Sequence, residues 1–139
     1  MKVDSFRSII RALNSSEVRY LLVGGLAVNA HGYVRSTQDV DLVLWLDPAN
    51  LKNAFSGLAE AGYRPYQPIG ADDFSNPDIR EAWRREKGMV VLKMWNDLDP
   101  GTGLDIFVYE PFDFKTEYSR ARIEKSGMTW MFQWLLWVP

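Results

Sequence analysis

Cysteine is absent from the sequence, and histidine occurs once, as His31. Without cysteine the chain has no disulfide, no thiolate nucleophile and no sulfur-ligated zinc site, and a reducing cytoplasm is its expected location. With one histidine it has neither a multi-histidine metal site nor a pair of histidine acid–base catalysts. Its apolar runs fall short of the ~20 residues that span a bilayer, so we expect no membrane partner. Any chemistry must therefore come from carboxylates, hydroxyls and basic side chains.

The charge balance is close to neutral, with 16 basic and 18 acidic residues and a net charge of −2. A chain with this net charge has no overall electrostatic attraction to nucleic acid or an anionic membrane, but the charge balance is compatible with a local basic groove. A length of 139 residues predicts one domain spanning residues 1–139. Aromatic residues make up 14% of the chain and can fill a sizeable core.

Hydrophobic periodicity and turn residues predict short helices alternating with strands. The predicted helices run from Asp4-Ser5 to Asn14, over Leu26–Ala30, from Asp47-Pro48 to Gly62 and from Asn76-Pro77 to Gly88; the predicted strands are Val18–Val23, Asp39–Leu46, Tyr63–Gln67, Met89–Trp95 and Leu104–Tyr109; residues 68–76 and 96–102 are predicted loops. This alternation predicts an α+β (α/β mixed) fold, in which helices flank one small mixed β-sheet.

Asp39 and Asp41 are separated by one residue inside a predicted strand. Side chains alternate along a strand, so the two carboxylates share one face, while Val40 and Leu42 point to the other. Neighbouring carboxylates repel at neutral pH unless a positive charge lies between them. Mg²⁺, a hard ion that prefers carboxylate oxygen, is the cation that fits best. A turn residue followed by a solvated aspartate is the alternative interpretation.

A third carboxylate, Asp105, lies in the otherwise apolar predicted strand Leu104–Tyr109. An aspartate buried there without a partner would cost several kcal/mol, so it either lies at an exposed edge or meets a cation. If this strand neighbours the one that carries Asp39 and Asp41, in the right register, three carboxylates converge. Such a set would bind one or two Mg²⁺ ions and, through them, a polyphosphate.

Gly24-Gly25 follows the strand Val18–Val23 and opens a predicted helix. Backbone amides at a helix N-terminus bind anions, and glycine lets a phosphate approach closely; a tight strand-to-helix turn is the alternative. Arg35 can hold a phosphate as a fork, and the Thr37 hydroxyl can donate to one. His31 is expected to be a helix-end or packing residue rather than a base.

Together these residues resemble the signature of the DNA polymerase β-like nucleotidyltransferase superfamily. Val23-Gly24-Gly25 is followed after thirteen residues by Asp39-Val40-Asp41-Leu42, and Asp105 matches the later third aspartate. The string LLVGGLAVNAHGYVRSTQDVDLVL is most similar to the AbiEii-type branch, which includes toxins of bacterial toxin–antitoxin pairs. The resemblance covers about residues 18–109.

The resemblance implies a nucleotidyltransferase fold and a reaction in which a nucleoside monophosphate passes from an NTP to a hydroxyl, with release of pyrophosphate. Gly24 and Gly25 would contact the nucleotide phosphates, and Asp39 and Asp41 would bind Mg²⁺, with Mn²⁺ as a substitute. Asp105 would complete the metal site and help to deprotonate the acceptor hydroxyl. The acceptor, whether tRNA, a protein or a small molecule, is left open.

The C-terminal part of the sequence departs from that branch, whose members continue with further helices and a lysine. The stretch Met128–Pro139 instead contains three of the six tryptophans and no charge. We expect this segment to be a truncated or atypical end that packs on the core, on a second copy of the chain or on an antitoxin. Basic residues near it that could replace missing contacts are Lys115, Arg120, Arg122 and Lys125.

Other functions are less consistent with the pattern. Haloacid dehalogenase-like phosphatases and sugar-nucleotide glycosyltransferases carry Asp-x-Asp after an apolar strand, whereas here the apolar run follows the aspartates. A catalytically silent module of the same fold, binding a nucleotide or a protein, is the alternative from another class. Basic residues that could contact RNA are Arg80, Arg84, Arg85 and Lys87, but Glu81 and Glu86 interleave with them, as in a solvated helix.

Overall fold

The computed structural model describes residues 3–23, 39–125 and 133–136. Within them the helices are α1 (Val3–Ser15), α2 (Pro48–Glu60), α3 (Ala71–Ser75), α4 (Pro77–Lys87) and α5 (Phe114–Arg120), and the strands are β1 (Tyr20–Val23), β2 (Asp39–Leu44), β3 (Tyr63–Pro65), β4 (Val91–Asn96), β5 (Gly103–Phe107), β6 (Arg122–Lys125) and β7 (Gln133–Leu136). The predicted α+β class is confirmed. The helix predicted over Leu26–Ala30 lies outside the described residues. No helix in the described ranges has the length and apolarity needed to cross a membrane.

The strands form one mixed sheet in the order β3-β4-β5-β2-β1-β7-β6. The pairs β2–β5 and β1–β7 are parallel, and the other neighbours are antiparallel. Strand β2 therefore lies between β1, which precedes it in the chain, and β5, which is reached only after two further strands. This arrangement places two acidic strands side by side.

The main core lies on one face of this sheet, under α1 and α2. The alternate residues Val40, Leu42 and Leu44 of β2 are fully buried there, as the strand periodicity predicts. Strand β5 contributes Leu104 and Ile106 to the same cluster. Because this face is filled with apolar side chains, the intervening residues of β2 and β5 must lie on the other face.

The starts of α2 and α4 and the end of α4 follow the predicted capping residues, whereas α1 begins at Val3, before the predicted N-cap Asp4-Ser5. Asp47 is the N-cap of α2, where its carboxylate accepts a hydrogen bond from the Asn50 backbone N–H, and Pro48 occupies the first turn. Asn76 caps α4 in the same way, and Gly88 ends it with a left-handed φ of 62°. These helix boundaries were therefore predictable from short local patterns.

Residues 68–76, predicted to be a loop, contain the short helix α3. Gly70 precedes it, and Asp72 and Asp73 lie in its first turn, where acidic side chains stabilise a helix N-terminus. The loop prediction was wrong because Phe74 is fully buried, with its ring 5.3 Å from that of Phe55. This tertiary contact orders a glycine- and proline-rich segment that has no helical periodicity of its own.

The segment after Tyr109 adds α5, β6 and β7, for which the sequence analysis gave no elements. Within the tryptophan-rich stretch Met128–Pro139, the residues Gln133–Leu136 form β7, which pairs in parallel with β1 and antiparallel with β6. That part of the stretch thus joins the sheet of its own chain. A contact with a second copy or an antitoxin stays a prediction.

Candidate active site on the acidic face of the sheet

The parallel register of β2 and β5 brings the predicted aspartates together. Asp41 is the register partner of Asp105, and Asp39 is the partner of Gly103. Residues paired in neighbouring strands point to the same face, so all three carboxylates lie on the face opposite the main core. We call this surface, formed by Asp39, Asp41 and Asp105, the acidic face. The sequence analysis could state this register only as a condition. The parallel pairing of β2 with β5 meets that condition.

An apolar cluster borders the acidic face on the side of β1. It consists of Leu21, Val23, Val43 and Phe114, with Trp45, Phe107, Phe112, Tyr118 and Ala121 packed against it. Val23 is the register partner of Asp41, so this carboxylate lies beside apolar side chains rather than in open solvent. Asp41 and Asp105 are accordingly only partly exposed.

Gly103 leaves room for the side chain of Asp39. A Cβ atom added at residue 103 would lie 2.5 Å from Asp39 Oδ1 and 3.2 Å from its Cγ. Real Cβ atoms do not approach carboxylate atoms so closely, so any larger residue at 103 would displace the carboxylate. Glycine at this position therefore leaves room for the Asp39 carboxylate beside β5.

We predict that Gly103→Ala weakens metal-dependent nucleotide binding about tenfold, because it moves one of the three carboxylates without removing it. The fold should change little, since the affected side chain lies on the face opposite the main core. Calorimetric titration with Mg²⁺ and an NTP analogue measures the effect. Gly101→Ala is the matched control, because a Cβ atom there meets no atom within 4 Å. Equal affinities in the two variants would contradict the role given to Gly103.

The pKa of Asp41 is raised from 3.8 to about 6. Burial beside the apolar cluster contributes most, followed by the negative charges of Asp105 and Asp39 and by a hydrogen bond with Asp105, while Lys93 acts in the opposite direction. Burial therefore accounts for most of the cost of ionising Asp41, and the two neighbouring carboxylates add to it. A cation bound beside these carboxylates would lower this cost.

Lys93 is a residue of the candidate site that the sequence analysis missed. It is the register partner of Asp105 on β4, and its Nζ lies 3.0 Å from Asp105 Oδ1 and 3.3 Å from Oδ2. The hydrogen bond with Asp105 is the largest cause of the raised pKa of Lys93. A single lysine in the apolar predicted strand Met89–Trp95 was the available signal, because opposite charges on adjacent strands commonly pair.

The donor set fits Mg²⁺ in chemistry, since it consists of carboxylate oxygens only. Nevertheless, within residues 3–23, 39–125 and 133–136 no three acidic or histidine side chains form a ready-made set of metal ligands. The charged partner of Asp105 in the structure is Lys93, whose Nζ lies 3.0 Å from Asp105 Oδ1. The positive charge next to the carboxylates is thus an ammonium group.

The other residues singled out in the sequence fall into two groups. Those proposed to contact phosphate lie outside the described residues: Gly24, Gly25, Arg35 and Thr37, together with His31. Basic residues of α4 are partly used for packing, since Arg80 is 9% exposed and donates a hydrogen bond of 2.5 Å to the Phe74 carbonyl oxygen, and Arg84 lies 3.7 Å from the Tyr109 ring centre. Arg84, Arg85 and Lys87 are exposed, and a contact of this helix with RNA stays a prediction.

Comparison with known proteins adds no assignment. No family model matches the chain, and no curated protein is significantly similar to it.

Proposed function

We propose that this protein is a magnesium-dependent nucleotidyltransferase, which moves a nucleoside monophosphate from an NTP to a hydroxyl group and releases pyrophosphate. The observation that supports it best is the common face of Asp39, Asp41 and Asp105, which a parallel strand pair places in adjacent register. Their spacing in the sequence, the preceding Gly24-Gly25 and the similarity to the AbiEii-type branch agree with this proposal. A cytoplasmic location, where NTPs are abundant, is part of it.

In this proposal Asp39, Asp41 and Asp105 hold the metal ion, with Mn²⁺ as a substitute for Mg²⁺. Bound there, the ion would supply the positive charge that stabilises the attacking and leaving oxygens of an in-line phosphoryl displacement. Asp105 has the second task of accepting the proton of the acceptor hydroxyl. Gly24, Gly25, Arg35 and Thr37 are proposed to hold the phosphates through backbone amides, a guanidinium fork and a hydroxyl.

The acceptor class in the proposal follows the AbiEii-type branch: a hydroxyl of tRNA or of a protein, with the chain acting as the toxin of a toxin–antitoxin pair. The tryptophan-rich stretch Met128–Pro139 is the proposed contact for an antitoxin or a second copy. Transfer to a small-molecule acceptor would require neither an antitoxin nor a second copy of the chain. Analysis of the labelled product from a cell extract identifies which acceptor class is used.

The direct test is nucleotide binding and transfer by the purified chain. We expect Mg²⁺ together with an NTP to raise the midpoint of thermal unfolding by several degrees, since a ligand at about 100 times its Kd adds about 2.7 kcal/mol of stability. EDTA should remove the effect. An NTP labelled at its α-phosphate should transfer its label to an acceptor in the extract. Neither stabilisation nor transfer with any of the four NTPs would refute the proposal.

A catalytically silent module of the same type is the second candidate. The ion pair between Lys93 and Asp105 favours it, because this pair partly neutralises the acidic face without metal. Such a module would bind an NTP or a protein partner without transferring label. Nucleotide binding that persists in EDTA, with no incorporation, would select this candidate over the enzyme.

A further inference from the structure

Lys93 is the closest cation to the acidic face among the described side chains. Its ammonium group contacts both oxygens of Asp105, at 3.0 and 3.3 Å, and its charge also acts on Asp39 and Asp41. The lysine side chain is 57% exposed, whereas that of Asp105 is 14% exposed. The carboxylate is thus held in place by the sheet, while the ammonium lies at the end of a flexible, partly solvated stem.

An ammonium group in this position opposes a divalent cation in two ways. It occupies the oxygens of Asp105 that a metal ion would coordinate, and its positive charge repels the ion at short range. The displaced ammonium would also lose the partner that holds it. Metal binding to the protein alone is therefore weakened by Lys93, although the donor atoms suit Mg²⁺.

A nucleoside triphosphate changes this balance because it offers the ammonium a new anion. Lysine binds phosphate as a compact point charge with three donors, and the exposed stem of Lys93 allows its head to leave Asp105 without moving the backbone. The free carboxylate and the triphosphate oxygens would then share the metal ion.

We propose that Lys93 is a positioning residue that acts as a resident counter-cation, which keeps divalent metal off Asp105 until a triphosphate binds and draws the ammonium away. This inference rests on the proposed function of the acidic face. With Lys93 in this role, metal and nucleotide bind cooperatively. Each ligand must then raise the affinity for the other by the same factor. The metal-free protein is thus prevented from loading metal without its substrate.

Mn²⁺ binding tests the inference, measured by equilibrium dialysis as the excess of Mn²⁺ in the protein compartment over a protein-free compartment that holds the same nucleotide analogue. Titrations are made with and without an α,β-methylene NTP mixture on the wild type, Lys93→Met and Lys93→Arg. Lys52→Met is the control for net charge, because Lys52 is exposed on α2, against the opposite face of the sheet. Circular dichroism establishes that each variant is folded, and Lys93→Gln serves as a second neutral variant.

We expect Lys93→Met to bind Mn²⁺ alone about tenfold more tightly than the wild type. The factor by which the triphosphate raises the Mn²⁺ affinity should be about tenfold smaller in this variant than in the wild type. Lys93→Arg, which keeps the charge, and Lys52→Met should match the wild type. Unchanged affinity of Lys93→Met for Mn²⁺ alone, with nucleotide-dependent loading intact in the wild type, would overturn the role of Lys93 and leave the enzyme proposal standing. No Mn²⁺ binding by any variant in either condition would instead remove the proposed function and this inference with it.

Discussion

Replacing Asp41 with asparagine is expected to abolish metal-dependent nucleotide binding and, at the same time, to stabilise the metal-free fold. The side chain keeps its size, but the negative charge that attracts Mg²⁺ is lost, so we expect nucleotide transfer to fall by at least about a hundredfold. The uncharged amide also relieves the repulsion from Asp39 and Asp105. We expect the free energy of unfolding at pH 7 to rise by about 1–2 kcal/mol.

The pH dependence of stability follows from the pKa of Asp41, which folding raises from 3.8 to about 6. The folded chain binds this proton more tightly than the unfolded chain, so acidification from pH 7 through about 6 towards 4 stabilises the wild type at this residue. That stabilisation is lost as the pH rises through the folded pKa. The advantage of the asparagine variant should therefore be greatest near pH 7 and shrink towards pH 4.

Urea unfolding of both proteins between pH 4 and 7 measures this difference, and calorimetry with Mg²⁺ and an NTP analogue measures binding. Asp72→Asn is the matched control, since Asp72 is exposed on α3, away from the acidic face. It should bind nucleotide as the wild type does. Wild-type nucleotide affinity in Asp41→Asn would rule out a metal site on these carboxylates.

Replacing Asn50 with alanine is expected to lower the free energy of unfolding by about 3 kcal/mol. Asn50 is 6% exposed in the first turn of α2 and ties the helix to the strands beneath it. Its Oδ1 accepts a hydrogen bond of 2.8 Å from the Arg19 N–H, and its Nδ2 donates to the carbonyl oxygens of Arg19 and Trp45, at 3.0 and 2.8 Å. Alanine leaves these partly buried backbone groups without their side-chain partner.

Asn53→Ala is the control for this prediction, because Asn53 is exposed on the same helix. It should change stability by less than about 0.5 kcal/mol. Chemical denaturation of both variants, followed by circular dichroism, gives the comparison. If the two variants unfolded at the same urea concentration, the hydrogen bonds of Asn50 would not hold β1 and β2 against α2 as described.

The helix caps show how much of the fold a short pattern contains. Asp47-Pro48 and Asn76-Pro77 begin helices at the predicted residues, and Gly88 ends one, because capping depends only on atoms within one turn. Helix α3 shows the opposite case. Its burial of Phe74 against Phe55 depends on a helix elsewhere in the chain, and local spacing carries no record of it.

The candidate site also has one part that the sequence predicted and another that only the sheet decided. Alternation along the strand predicted that Asp39 and Asp41 share a face, and that Asp105 lies opposite Leu104 and Ile106 on its own strand. The lone lysine in an apolar strand was visible in the sequence, but its pairing with Asp105 and the raised pKa of Asp41 were not, because both arise from the neighbours that the sheet brings beside these strands. The face on which a side chain lies follows from the odd or even position of its residue along the strand. The residue that it pairs with depends on the order and register of the strands in the sheet.

The sequence by itself determined which side-chain chemistry is absent, where α2 and α4 begin and α4 ends, and the face on which each strand residue lies. These properties depend on composition and on spacings of a few residues. Only the tertiary structure decided that β5 lies next to β2, with Asp105 beside Asp41, and that an ammonium group from β4 meets them. Strand order and register are set by burying the apolar face of the whole sheet at once, and residues far apart in the chain settle that packing together.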